Sequence, residues 1–339
     1  MERLVAFAAP VSRPASIALV VLLACAVIAG CGGDDGDEAA NKPPPAADPA
    51  EFPKANGQTL AALREGLGKG GPVLAPSVLD LTTGDNRFGF GLFERDRSQI
   101  ADASVVVYVA PASGGPAKGP YVARYESLEV KPQFLSRITA QDPDSAKSVY
   151  VADIPFDKPG KYEVLAIARL DDRLVAATSA SGPITVLKPE DDPVPRVGEP
   201  APRIHTPTKA DAGGDVASID TRIPPSTMHE VDFADVVGKK PVVLLFATPA
   251  LCQSRVCGPV VDVAEQVKAD HEGDADFIHM EIYRDNSIDQ GFRPQVAAFR
   301  LPTEPWLFVI DKQGNVAARI EGAFSAGELE DALGKATKG

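Results

Sequence analysis

Phe246-Ala-Thr-Pro-Ala-Leu-Cys252-Gln-Ser-Arg-Val-Cys257-Gly-Pro-Val-Val-Asp262 is the stretch on which the reading of this 339-residue chain turns. It follows the apolar run Val242 to Phe246, which reads as a buried strand. It precedes apolar residues at 260, 261, 263, 264 and 267, the stripe of a helix. A strand that delivers a cysteine pair to the start of a helix is a setting for reactive thiols, because the unpaired amides and the positive end of the helix dipole favour thiolate over thiol. Four residues separate the two cysteines. On a regular helix a separation of five turns the second side chain ~140° from the first. A bond between them therefore requires Cys252 to lie in the loop before the helix, or the first turn to unwind.

Outward from this stretch, Met228 to Phe233 reads as a strand, Ala275 to Tyr283 as another, and Pro294 to Phe299 as a short helix. Trp306 to Ile310 and Val316 to Ile320 form a hairpin across Asp311-Lys-Gln-Gly314, and Ser325 to Ala336 is a closing helix. Residues 197–339 thus show an α/β layer pattern. The cluster Lys188-Pro-Glu-Asp-Asp-Pro-Val-Pro195 precedes it and is expected to act as a linker over 189–196. Upstream, residues 73–188 carry short β-branched runs: Arg87 to Phe93, Ser104 to Ala110, Ser148 to Ile154, Lys161 to Arg169, Leu174 to Ser179 and Ile184 to Leu187. With Pro and Gly punctuation and no convincing amphipathic helix, these predict a β-sandwich. Asp157-Lys-Pro-Gly-Lys-Tyr162 resembles the turn before a late strand of immunoglobulin-like domains, where a tyrosine hydroxyl ties the corner.

The N-terminus has Arg3 and Arg13, an apolar stretch from Ala15 to Ala29, and Ile28-Ala29-Gly30-Cys31. The apolar core is short for a membrane span and ends in small residues, as an export signal does. It resembles a bacterial lipoprotein signal. That resemblance implies a signal peptide over 1–30, a lipid on Cys31, and a chain held on the extracytoplasmic face of the cell membrane. Residues 31–72, rich in Gly, Asp, Pro and Ala, read as a flexible tether. The net charge of −13 argues against nucleic acid as a partner. With Cys25 in the signal and Cys31 under lipid, Cys252 and Cys257 are the pair left for redox chemistry.

Residues 197–339 resemble a thioredoxin-fold domain of the exported redoxin type, which includes TlpA-like thiol reductases, peroxiredoxins and Sco-type proteins. The resemblance rests on Val197-Gly-Glu-Pro-Ala-Pro202, Gly238-Lys-Lys-Pro-Val-Val-Leu-Leu-Phe246, the cysteine pair, Thr303-Glu304-Pro305 and Phe308-Val-Ile-Asp-Lys-Gln-Gly314, in that order. It implies an α/β thioredoxin-like domain behind an all-β immunoglobulin-like sandwich, with Pro305 in the cis form beside the cysteines. Residues 209–228 look like an insertion. The resemblance implies thiol-disulfide exchange through Cys252 and Cys257 on protein thiol or disulfide substrates, with Thr248, Arg255 and Glu304 as supporting candidates and no cofactor or metal.

Three alternatives stay open. A thiol peroxidase would have Thr or Ser three residues before its attacking cysteine, where this chain has Pro249, and an arginine near position 305, which is proline. Copper handling of the Sco type needs a histidine joining the thiolates, and none of His205, His229, His271 and His279 lies before Trp306 where that family has it. A non-enzymatic binding lipoprotein would use the cysteine bond only as a staple. Because Cys257-Gly-Pro259 mimics the start of the thioredoxin motif, which cysteine attacks is also open. Replacing Cys31 by Ser is expected to release the protein from the membrane fraction; a C31S chain still processed and wholly membrane-bound refutes the anchor.

Overall fold

The computed structural model describes residues 44–67, 70–179 and 181–337. Cys31 and the expected signal and lipid anchor lie outside the described residues. The described residues from 44 to 337 pack as one compact unit. In chain order its elements are α1 (Leu60–Glu65), β1 (Val73–Pro76), β2 (Leu81–Thr82), β3 (Gly84–Phe93), β4 (Ser104–Pro111), β5 (Lys118–Ser127), α2 (Arg137–Gln141), β6 (Ser148–Phe156), β7 (Gly160–Leu170), β8 (Arg173–Ser179) and β9 (Ile184–Leu187). They continue with α3 (Phe233–Val236), β10 (Val242–Phe246), α4 (Cys257–Asp270), β11 (Asp276–Met280), α5 (Pro294–Phe299), β12 (Trp306–Ile310), β13 (Val316–Glu321) and α6 (Ala326–Thr337).

The upstream half is a closed barrel. Seven strands run β7-β4-β5-β6-β3-β1-β8, and β8 pairs back onto β7 from Leu165↔Thr178 to Leu170↔Arg173. Every neighbour pair is antiparallel except β1 with β8, where Val73 and Leu74 run parallel to Thr178 and Ser179. Side chains alternate strictly, as the two-residue period of a strand requires. Val105, Val107 and Val109 join Phe88, Phe90, Tyr150 and Ile154 in the inner cluster, while Val106, Tyr108 and Ala110 point outward under Phe52, Leu60 and Leu63. From Ala47 to Leu63, then, the stretch read as a tether packs on the barrel wall.

Strand β6 is also buried on both faces: Tyr150, Ala152 and Ile154 look inward, and Val149 and Val151 enter the cluster built on helices α4 and α6. That cluster fills one face of a four-stranded sheet of order β11-β10-β12-β13. Strand β10 runs parallel to β11 and antiparallel to β12, which is antiparallel to β13. Along β10 the alternation again divides the residues, with Val243 and Leu245 facing α4 and α6 and Val242, Leu244 and Phe246 facing Phe233, Phe299 and Trp306.

The expected fold class, an α/β thioredoxin-like domain behind an immunoglobulin-like sandwich, is overturned. The molecule is mostly β around a closed barrel, and among the described residues only α4 and α6 exceed six residues. An immunoglobulin-like sandwich keeps two separate sheets with free edges, whereas the edges here are consumed by β1 and β5, neither of which the sequence reading contained. Strand β5 hides behind Pro120 and alternating charges. The tyrosine corner does form, since the Tyr162 hydroxyl donates to Lys158 O at 2.8 Å. It is a local device that the barrel shares. The strand expected at Met228 to Phe233 is replaced by irregular chain ending in the single turn α3, capped by Asp232.

Barrel and sheet are joined by buried charge. Arg87 on β3 donates twice to Glu328 on α6, at 2.7 Å each, and Arg124 on β5 reaches the same carboxylate at 3.2 Å. Glu321 accepts the backbone amides of Leu79 and Asp80 at 3.0 and 2.8 Å, and Gly322 passes so close that a Cβ there would lie 2.0 Å from Ser77 O. Leaving Arg87 half-buried and unpaired should be costly: Glu328→Ala is expected to destabilise the protein by ~3 kcal/mol in chemical denaturation. The double variant R87M/E328L should recover much of that loss, and a cycle showing no coupling would rule out the pair as a fastener.

Candidate functional site

Strand β10 ends at Phe246, and the chain then leaves the sheet through Ala247 to Val256 before α4 begins at Cys257. Cys252 therefore lies in the loop, which resolves the spacing problem. Arg255 adopts a left-handed φ of 61° and Val256 a right-handed conformation, a succession that turns consecutive amides toward one point. Those amides, of Val256 and Cys257, favour the Cys252 thiolate. Helix α4 starts without a side-chain cap, so its first amides are free to serve the sulfur. Gly258 lets the first turn sit against α2: a Cβ there would lie 2.8 Å from Thr139 Oγ1.

The two sulfurs are unbonded thiols, and they lie with a Glu304 oxygen in a group whose members are all within 4.8 Å of one another. Cys252 is half-buried and Cys257 fully buried. Their acidities are pushed apart. The Cys257 thiol donates to Cys252, and with the Ser254 hydroxyl at 3.3 Å and the two amides it brings Cys252 down to about 6. Burial first, then the neighbouring thiolate, pushes Cys257 well above the ordinary thiol range. The arrangement favoured near neutral pH is thus a half-buried thiolate backed by a fully buried thiol.

Glu304 on the loop before β12 closes the site from below. Burial, then repulsion from Cys252 and Glu281, raises its carboxyl to about 8, and its Oε2 is buried with no hydrogen-bond partner. Pro305 follows through a cis peptide bond and accepts from Gly322 N at 2.8 Å. Thr248 does not offer its hydroxyl to Cys252; that oxygen is buried without a partner, and the residue instead donates its backbone amide to Cys257. Arg255 is turned away from the thiolate toward Asp142, with Asp144 at 3.8 Å, so it fastens the loop to the barrel. Ser254 is the contributor the sequence did not flag, a lone serine in a loop carrying no pattern of its own.

Cys252 opens into a groove of about 560 Å³ between the barrel-side residues Ile138, Thr139 and Asp142 and the loop residues Pro249, Leu251 and Ile288. A second cleft, beyond Ser254, is lined by Tyr283, Phe292, Leu301 and Pro302. Ile288 and Phe292 expose 49% and 58% of their surfaces at these rims, a high value for large apolar side chains. None of the four histidines joins the cysteines: His205 pairs with Asp232, His271 with Asp274, and His229 and His279 with Asp220. Any metal held at the thiols would have Cys252, Cys257 and Glu304 as its donors.

No protein-family model matches the chain, and no curated protein does either. Among solved structures, a thiol:disulfide interchange protein of the thioredoxin family from Chlorobium tepidum TLS is similar at 18% identity, over 42% of this chain and 97% of that one, with a TM-score of 0.30. A likeness of that strength assigns no function.

The divided acidities predict that alkylation of Cys252 by iodoacetamide rises with pH through a midpoint near 6, against about 8.5 for a free cysteine. Because the folded-state value is depressed, the stability this thiolate contributes is lost as pH falls through about 6. Ser254→Ala should move the midpoint upward; a wild-type midpoint at 8 or above would contradict the assignment.

Proposed function

We propose that this protein is a thiol-disulfide oxidoreductase in which Cys252 attacks and Cys257 resolves. The observation that carries the reading is the half-buried Cys252 sulfur in the loop, with the fully buried Cys257 sulfur of the first residue of α4 within 4.8 Å of it. The thiolate attacks one sulfur of a substrate disulfide, forming a mixed disulfide and expelling the other sulfur as thiolate. Cys257 then loses its proton and attacks Cys252 Sγ, releasing the second substrate thiol and leaving a Cys252–Cys257 disulfide. Substrate gains two electrons and the protein loses two.

Glu304 manages the proton in this sequence. While Cys252 is a thiolate, repulsion and burial keep the carboxyl protonated. Once Cys252 is bonded its charge is gone, the carboxyl becomes more acidic, and its proton passes to the departing thiolate. The resulting carboxylate, beside Cys257, is the base for the second step. The substrate class is a disulfide-bearing protein, which the exposed apolar rims at Ile288 and Phe292 suit. The lipoprotein-like Ile28-Ala-Gly-Cys31 supports a lipid anchor and an extracytoplasmic location. A peroxidase reading draws no support, because among the described residues the hydroxyl bonded to Cys252 is that of Ser254 and Arg255 is committed to Asp142.

With Cys257→Ala, a disulfide-bearing protein substrate should accumulate as a mixed disulfide on Cys252, whereas Cys252→Ala should form none. Glu304→Gln should slow release from the mixed disulfide by ~100-fold. It should also remove the inflection near pH 8 while keeping the one near 6. Two equally inert cysteine variants, with a reduction potential below about −300 mV, would instead mark the pair as a structural staple.

A further inference from the structure

We propose that Asp220, His229 and His279 form a buried site for a divalent transition ion of the zinc type, independent of the cysteine pair. Residues 209–228, the segment read as an insertion, pass beneath the cysteine loop, and His229 just beyond them and His279 on β11 turn their rings toward Asp220. Nε2 of His229 and Nδ1 of His279 lie 3.0 and 3.3 Å from the same oxygen, Oδ2 of Asp220. All three donors are within 4.8 Å of one another and all three residues are buried. Ligands ~2.0–2.1 Å from a tetrahedral ion stand ~3.3–3.4 Å apart, close to the 3.0 and 3.3 Å separations here, so a few tenths of an ångström of movement admits one ion among the donors. Ser226 Oγ is hydrogen-bonded to Nδ1 of His279 at 3.3 Å, so a tetrahedral ion would take its fourth ligand from that hydroxyl or from water.

The surroundings fix the donors as a metal site requires. His279 donates its other ring N–H to Ala247 O at 3.1 Å, which fixes the ring so that Nδ1 faces Asp220; an ion bound there would displace the Nδ1 proton shared with that carboxylate. Asp220 is held by backbone amides, from Arg222 to Oδ1 at 2.8 Å and from Ser226 to Oδ2 at 2.6 Å. Nδ1 of His229 is buried without a partner, so one orienting bond is missing. Losing such a bond costs ~10–100-fold in metal affinity, so binding weaker than that of a fully braced zinc site is expected. Two imidazoles and one carboxylate, with no thiolate, favour zinc over copper(I).

The position gives the ion a consequence. Thr221, next to Asp220, accepts from Ala250 N at 3.1 Å and donates to Glu281 at 2.7 Å. An ion tying Asp220 to β11 would therefore brace the loop that carries Cys252. The test uses the full chain with both Cys252→Ala and Cys257→Ala, so that no thiolate competes, freed of metal by a chelator and titrated with Zn(II) and Co(II). We expect one ion per chain, a Zn(II)-dependent rise in melting temperature, and Co(II) absorption of tetrahedral intensity without thiolate charge-transfer bands. H229Q and H279Q, each checked for a cooperative melt, should weaken binding by at least ~100-fold. No binding below about 100 µM in the unsubstituted site, or undiminished binding in a folded H229Q/H279Q chain, overturns the proposal.

Discussion

A single carboxylate holds the parts of this molecule in register. Asp262 lies on the cysteine-bearing helix α4 with none of its surface exposed, and three segments meet on it. Arg222 of the 209–228 segment donates to its Oδ1 at 2.8 Å, and Ser136 at the start of α2 donates both its amide and its hydroxyl to Oδ2, at 3.0 and 3.1 Å. Arg222 also donates to Phe134 O at 2.6 Å, so the barrel loop and the long segment are bound to each other as well as to the helix. Burial pushes the Asp262 carboxyl upward even with the guanidinium beside it. Such a pair is weak evidence for net stability. Its value is positional: it sets where the first turn of α4, and hence the Cys252 amide cradle, stands relative to the barrel.

Through that fastening the barrel becomes part of the site. The loop after α2 supplies Asp142 and Asp144 to Arg255, and Ile138 and Thr139 line the groove in front of Cys252. The left-handed backbone at Arg255 that turns the amides toward the sulfur is braced by the barrel at its side chain, and at its carbonyl, which accepts from Ala146 N at 3.2 Å. Thiolate stabilisation is therefore as dependent on the barrel loop as on the helix.

Local order in the sequence was legible wherever period and turn chemistry agreed. Strand β10, the hairpin of β12 and β13, and α5 stand at or within one residue of their expected limits, since each is a short apolar run bounded by Pro, Gly or Asp. The cysteine pair and the Glu304–Pro305 step were legible as motifs, and the structure brings them together. Barrel closure was not, because the β1 to β8 pairing joins residues about a hundred positions apart and involves only Val73 and Leu74. No periodicity announces a contact of that kind. The Asp220, Thr221 and Arg222 braces were equally hidden: three polar residues in an irregular segment look like a solvated loop until burial shows otherwise. The Tyr162 corner carries the sharpest lesson, for a local bond that formed as expected told nothing about which architecture would surround it.

The placement of Cys257 also bears on damage. A reachable thiolate of low pKa is the kind of sulfur that peroxides convert to sulfenic acid, and further oxidation to the sulfinic state is irreversible for most proteins. Here the buried thiol lies within reach of the sulfur at risk. It can condense with a sulfenic acid on Cys252, expelling water and leaving the same disulfide that the proposed exchange would form. Oxidation at Cys252 would thereby end in a disulfide that a dithiol reductant can reverse, and the residue proposed to resolve would also keep its partner from being lost.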